Sequence, residues 1–124
     1  MAADRILFVE DNFIVATMNA DYLRTCGFDV IHASSGAEAV QLLMKGEPFA
    51  ALITDVHLGP GPTGYDLARL AHKTHPGLMV MITTGERRER HLSEGVEASI
   101  FIAKPYQPHQ LVEALVPDHA RAVA

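Results

Sequence analysis

Short, uninterrupted apolar runs alternate along the chain with segments of helical period, and this alternation limits the possible folds more than any other feature. Ile6-Leu7-Phe8-Val9 and Ala50 to Thr54 show little polar alternation, so each reads as a strand covered on both faces. Phe28 to His32, Leu78 to Thr83 and Ser99 to Ala103 are read as three more strands. After Glu10-Asp11-Asn12, the apolar positions Ile14, Val15, Met18 and Tyr22 recur at helical spacing, and Gly27 supplies a C-terminal stop. Ser34-Ser35-Gly36 offers N-caps for a second helix with Val40, Leu43 and Met44 on its inner side, closed by Gly46 and Pro48. A glycine- and proline-rich loop, Leu58 to Thr63, leads to a helix carrying Leu67, Leu70 and Ala71, which His75-Pro76-Gly77 ends. A short, highly charged helix is expected over 86–94, and a last one, with Leu111, Ala114 and Leu115, after Lys104-Pro105.

Repeated strand-then-helix units imply an α/β, doubly wound fold with a parallel sheet. Right-handed crossovers place helices on both faces. At 124 residues, with no linker, repeat or low-complexity tract, residues 1–124 are expected to form a single domain. A chain of this size buries roughly two thirds of the surface it exposes when unfolded, so it needs no staple. The lone Cys26 has no intramolecular disulfide partner and is read as a small buried residue at a helix end.

The charge of −5 argues against nucleic acid as a partner, because phosphate binding needs a basic face. Arg87-Arg88-Glu89-Arg90 is interrupted by an acid and reads as a solvated helix face. No run approaches the ~18 apolar residues needed to span a bilayer, and the N-terminus lacks a secretory pattern. A cytoplasmic protein without membrane contact is therefore expected, with Met1 as its natural start.

In open α/β sheets the functional crevice lies beyond the C-terminal ends of the strands, where the strand order reverses. The residues there are Glu10 and Asp11, Asp55, Thr84 and Lys104. Two carboxylates ~4 Å apart repel by about 4 kcal/mol at an effective dielectric of 20, so three together call for a cation. Oxygen donors suit a hard ion such as Mg²⁺ or Mn²⁺. Asp11 and Asp55 are expected to bind it directly, with Glu10 bound directly or through water. Lys104 and Thr84 then complete a site for a dianionic phosphoryl group.

Four segments carry a resemblance: FVEDN (Phe8 to Asn12), LITDVHLGPGPTG (Leu52 to Gly64), MITTGE (Met81 to Glu86) and FIAKPY (Phe101 to Tyr106). In this order, each at a strand end, they resemble the receiver domain of two-component response regulators, from Arg5 to about Val116. The resemblance implies a flavodoxin-like (βα)5 fold, a five-stranded parallel sheet in the order 2-1-3-4-5, and a stand-alone, chemotaxis-regulator-like receiver. It implies that Asp55 accepts a phosphoryl group from a histidine kinase, a histidine phosphotransfer protein or a small phosphodonor. Glu10, Asp11, Asp55 and the His57 backbone carbonyl would surround the metal. Thr84 and Lys104 would contact the phosphoryl oxygens, with the Gly85 N–H close by and a cis bond at Lys104–Pro105. Thr84 and the aromatic Phe101 would form the switch, and an unidentified downstream protein would receive the signal. Such a chain is a phosphoacceptor with self-phosphorylation and autodephosphorylation chemistry only, not an enzyme acting on other substrates.

Three departures from the family pattern stand out. Phe101 has no hydroxyl to exchange between partners and reports only by packing. Gly64 lies nine residues after Asp55, one more than the commoner spacing, and the segment from Thr84 to Lys104 is short. The partner surface around the fourth and fifth helices is the part these departures touch most.

Other readings compete. Thr83 neighbours Thr84, but strand alternation and the following Gly85-Glu86 favour Thr84. Gly59 to Gly64 matches the dinucleotide fingerprint G-x-G-x-x-G, yet two positions are prolines without an N–H and the loop starts four residues after Asp55. His72 and His75, three apart near a helix C-terminus, read as surface residues rather than zinc ligands. An Asp-nucleophile phosphatase of the haloacid-dehalogenase type would want an acid where His57 stands. A receiver-like interaction module that is never phosphorylated is the remaining alternative.

Overall fold

The sheet orders its strands β2-β1-β3-β4-β5, and every pair is parallel. These strands are β1 (Arg5–Val9), β2 (Asp29–Ala33), β3 (Ala51–Asp55), β4 (Met79–Thr84) and β5 (Ile100–Ala103). The computed structural model describes residues 5–85, 94, 96 and 99–116. Four helices connect or follow the strands: α1 (Phe13–Thr25), α2 (Gly36–Met44), α3 (Gly64–Thr74) and α4 (Pro108–Leu115). The charged helix expected over 86–94 lies outside the described residues except for Glu94. The doubly wound architecture and the strand order both agree with the sequence reading.

Alternation along the strands splits the core into two layers. Ile6, Phe8, Ile53 and Met81 pack with Ala16, Ala20 and Leu23 of α1 and Leu111 and Val112 of α4. Leu7, Val9, Leu52 and Ile82 face the other way, against Ala39 and Leu43 of α2 and Leu67, Ala68 and Ala71 of α3. Each fully buried Leu, Ile or Phe contributes roughly 1.5–3 kcal/mol. Burial on both faces explains why these strands read as continuous apolar runs.

The structure decides which face α1 buries and corrects the sequence reading at Met44 and Cys26. On α1 the stripe Ile14, Met18 and Tyr22 turns outward, and Ile14 is 70 % exposed. The helix instead buries Ala16, Asn19, Ala20 and Leu23. The sheet beneath already fills its space with Phe8, Ile53 and Met81, so the helix that covers it must present mostly small side chains. Met44, expected inside, is exposed, because Ala39 and Leu43 define the inner face of α2. Cys26 is exposed rather than buried, as the C-cap of α1.

The loop after β3 explains its own composition. Gly59 and Gly61 adopt φ of 78° and 100°, a region that other residues enter only with strain. Gly64 opens α3 directly against β3, donating its N–H to the Val56 carbonyl at 2.9 Å. A Cβ on Gly64 would collide with the backbone of Asp55 and Val56. Thr63 and Asp66 close the helix start with a reciprocal capping box. The G-x-G-x-x-G match thus serves turns and close packing.

Gly64→Ala is expected to lower stability by about 1–3 kcal/mol, the usual scale of overpacking. Urea unfolding measures this directly, and a midpoint equal to wild type would contradict the close approach.

Candidate functional site

Strand register alone brings the acidic residues together. Val9 pairs with Thr54, so the next residues along, Glu10 and Asp55, lie side by side past the end of β1 and at the end of β3. The strand order reverses between these two strands, where a crevice is expected. Asp55 pairs with Thr83, and Thr84 pairs with Ala103, which places Lys104 just beyond the end of β5. The Lys104–Pro105 bond is cis, as expected, and the Lys104 N–H donates to the Thr84 carbonyl at 2.9 Å.

Glu10, Asp11 and Asp55 each offer a carboxylate oxygen within 4.8 Å of the others. Glu10 and Asp55 are buried, whereas Asp11 is exposed. Lys104 Nζ donates to Asp55 Oδ2 at 2.6 Å, a charge-assisted hydrogen bond. Glu10 Oε2 accepts from the Asn12 N–H at 3.1 Å, and Asn12 caps α1 through the Val15 N–H. Burial pushes the Glu10 carboxyl up to about 7, helped by a hydrogen bond with Asp11 and the charge of Asp55. The Asn12 N–H and the Lys104 ammonium pull the other way. Three carboxylates beside the Lys104 ammonium leave the cluster short of positive charge, and its all-oxygen donor set fits a hard divalent cation. Among the described residues, this is the one group of three such ligands.

Thr84 is buried at the end of β4. It shares a face with Ile82, the layer against which the half-buried Phe101 packs, and Ile82 and Phe101 are register partners. Thr83 points to the opposite face, the Met81 side of the sheet, against which Tyr106 packs. His57 is exposed two residues after Asp55, and Gly85 is exposed with open space around its Cα. The two histidines read as surface residues are half-buried instead. His75 Nε2 meets the Glu47 carbonyl at 2.9 Å, and His72 Nε2 lies 3.4 Å from Ser99 Oγ.

A cleft of 710 Å³ runs from the acidic cluster between α1 and the loop after β5. Asn19 and Tyr106 in its lining were missed by the sequence reading. Asn19 donates to the Tyr106 hydroxyl at 3.0 Å. Burial, with Glu10 and Asp55 nearby, pushes that phenol up to about 12. One signal was available: Asn19 falls on the Ala16-Ala20-Leu23 face, where a polar side chain needs a partner.

With Glu10 raised from 4.5 to about 7, the folded chain between those values holds a proton that the unfolded chain has released. Stability of the metal-free protein is therefore expected to fall as pH rises through that window. Glu10→Gln should flatten this slope in thermal unfolding, and an identical slope in the variant would refute the assignment. Added Mg²⁺ should stabilise more at the alkaline end, because carboxylate ligands bind metal deprotonated.

The comparisons agree with this geometry. A family model described as the response regulator receiver domain matches residues 6–116. The receiver protein CpdR of Brucella abortus is 37 % identical over 81 residues, covering 65 % of this chain and 66 % of that protein. The aerobic respiration control protein ArcA of Escherichia coli K12 is 30 % identical over 112 residues, covering 90 % of this chain and 46 % of ArcA. The chain thus spans about two thirds or less of the length of these relatives. A response regulator receiver protein from Sinorhizobium medicae WSM419 superposes with a TM-score of 0.85 at 30 % identity, covering 91 % of each chain. No helix among the described residues is long and apolar enough to cross a membrane. The chain belongs to the response regulator receiver family of two-component signalling, whose members generally act as phosphoacceptors rather than as enzymes.

Proposed function

We propose that this chain accepts a phosphoryl group on Asp55 from a histidine kinase or a histidine phosphotransfer protein, and signals through a partner protein as a single receiver domain. The observation that supports this best is the setting of Asp55. It closes a buried strand, with one oxygen on the Lys104 ammonium at 2.6 Å and the Glu10 and Asp11 carboxylates beside it. Glu10, Asp11, Asp55 and the His57 carbonyl would hold the divalent cation, which when bound supplies charge neutralisation to the phosphoryl oxygens.

In the transfer, an Asp55 carboxylate oxygen attacks phosphorus and an O–P bond forms. The P–N bond to the donor imidazole breaks, its electron pair stays on nitrogen, and that nitrogen takes up a proton from solvent. Phosphoryl transfer asks little covalent work of the protein beyond an aligned oxygen and neutralised charge. Lys104, released from its carboxylate oxygen, would meet a phosphoryl oxygen. The Thr84 hydroxyl and the Gly85 N–H would meet others. Movement of Thr84 toward the phosphoryl group would free space on its own face of the sheet, where Phe101 packs. Because Phe101 has no hydroxyl, that movement reaches a partner as a change of shape.

Intact mass after incubation with Mg²⁺ and acetyl phosphate tests this reading. One phosphoryl adduct is expected, lost in Asp55→Asn and on chelation of the metal. No adduct with acetyl phosphate or phosphoramidate would overturn it in favour of an interaction module. His57→Ala is expected to slow loss of the phosphoryl group, since His57 is exposed and stands two residues after Asp55. An unchanged decay rate would remove His57 from the mechanism.

A further inference from the structure

We infer that His32, at the edge of the sheet, is a positioning residue for the acidic cluster and acts through the backbone of Glu10. The inference rests on reading Glu10, Asp11 and Asp55 as metal ligands. His32 Nε2 lies 2.8 Å from the Glu10 carbonyl oxygen. A carbonyl only accepts, so Nε2 carries the hydrogen and donates it. His32 is the register partner of Phe8 on β1, and the two rings pack with centroids 6.4 Å apart. That packing holds the half-buried imidazole in the orientation that reaches past the end of β1.

Glu10 is held from three directions. Its N–H donates to the Ala33 carbonyl at 3.1 Å, its carboxylate accepts from Asn12, and its own carbonyl accepts from His32. The third contact matters most for its neighbour. The peptide that His32 grips is the one that leads into Asp11, an exposed residue whose carboxylate must still come within 4.8 Å of Glu10 and Asp55. Rotation of that peptide would swing Asp11 away from the cluster. Groups that orient metal ligands from behind commonly govern affinity although they never touch the ion.

The test is Mn²⁺ binding to the unphosphorylated full chain at one fixed pH, read from the electron paramagnetic resonance signal of free Mn²⁺. His32→Leu keeps apolar contact with Phe8 and removes the donor. His32→Gln places an amide N–H near the position of Nε2. His32→Leu is expected to weaken Mn²⁺ binding by roughly three- to tenfold, the scale of one hydrogen bond, and His32→Gln to restore most of it. Thermal unfolding of both variants separates loss of fold from loss of binding. Wild-type affinity in a folded His32→Leu, or a folded His32→Gln as weak as His32→Leu, would overturn the inference. Asp11→Asn distinguishes the two levels. If it abolishes binding while His32→Leu does not weaken it, the metal site stands and only the role of His32 falls. If the wild-type chain binds no Mn²⁺, both fall.

Discussion

Repulsion among three carboxylates at the ends of β1 and β3 is the constraint on which the rest of this molecule depends. Two like charges ~4 Å apart at an effective dielectric of 20 repel by about 4 kcal/mol, and here Glu10 and Asp55 are both buried while Asp11 is exposed. Two features of the fold bear on this. Lys104 reaches Asp55 at 2.6 Å, and burial first, with Asp11 and the charge of Asp55 behind it, raises the Glu10 carboxyl to about 7. A cluster that costs stability in the free protein is well suited to bind a cation and then a phosphoryl group, because each arrival relieves part of the repulsion.

The sheet makes the cluster possible by fixing backbone positions that the charges alone would not choose. Parallel pairing of β1 with β3 sets Glu10 beside Asp55, and pairing of β4 with β5 sets Lys104 beside Thr84. Gly64 lets α3 begin directly against the end of β3, so the strand end is covered on one side and open toward the crevice. Lys104, Pro105 and Tyr106 line the cleft, and there Tyr106 meets Asn19 of α1. Polar residues at this end of the sheet are thus brought together by the strands and α1.

Most of the site was legible because it is carried by short segments at strand ends, and strand ends are marked by where apolar runs stop. Glu10, Asp11, Asp55, Thr84 and Lys104 could be placed without knowing any contact, since the parallel sheet delivers every such end to one edge. Asn19, Tyr106 and His32 were not legible in this way. Each acts through a partner distant in sequence, as Asn19 does with Tyr106, and period or composition carries no record of such pairs.

The α1 helix shows the boundary between the two kinds of information. Its sequence holds two stripes at helical spacing, one of large apolar residues and one of mostly small ones, and periodicity alone prefers the larger. Packing reverses the choice, because Phe8, Ile53 and Met81 leave room above the sheet only for Ala16, Ala20 and Leu23 with Asn19 among them. Sequence by itself therefore determined the alternation of strands and helices and the acidic, lysine-bearing edge to which it leads, because those follow from local pattern. Which face of each helix is buried, how Glu10 is held and how far its acidity shifts were decided only by the tertiary structure, because volume and charge act across space rather than along the chain.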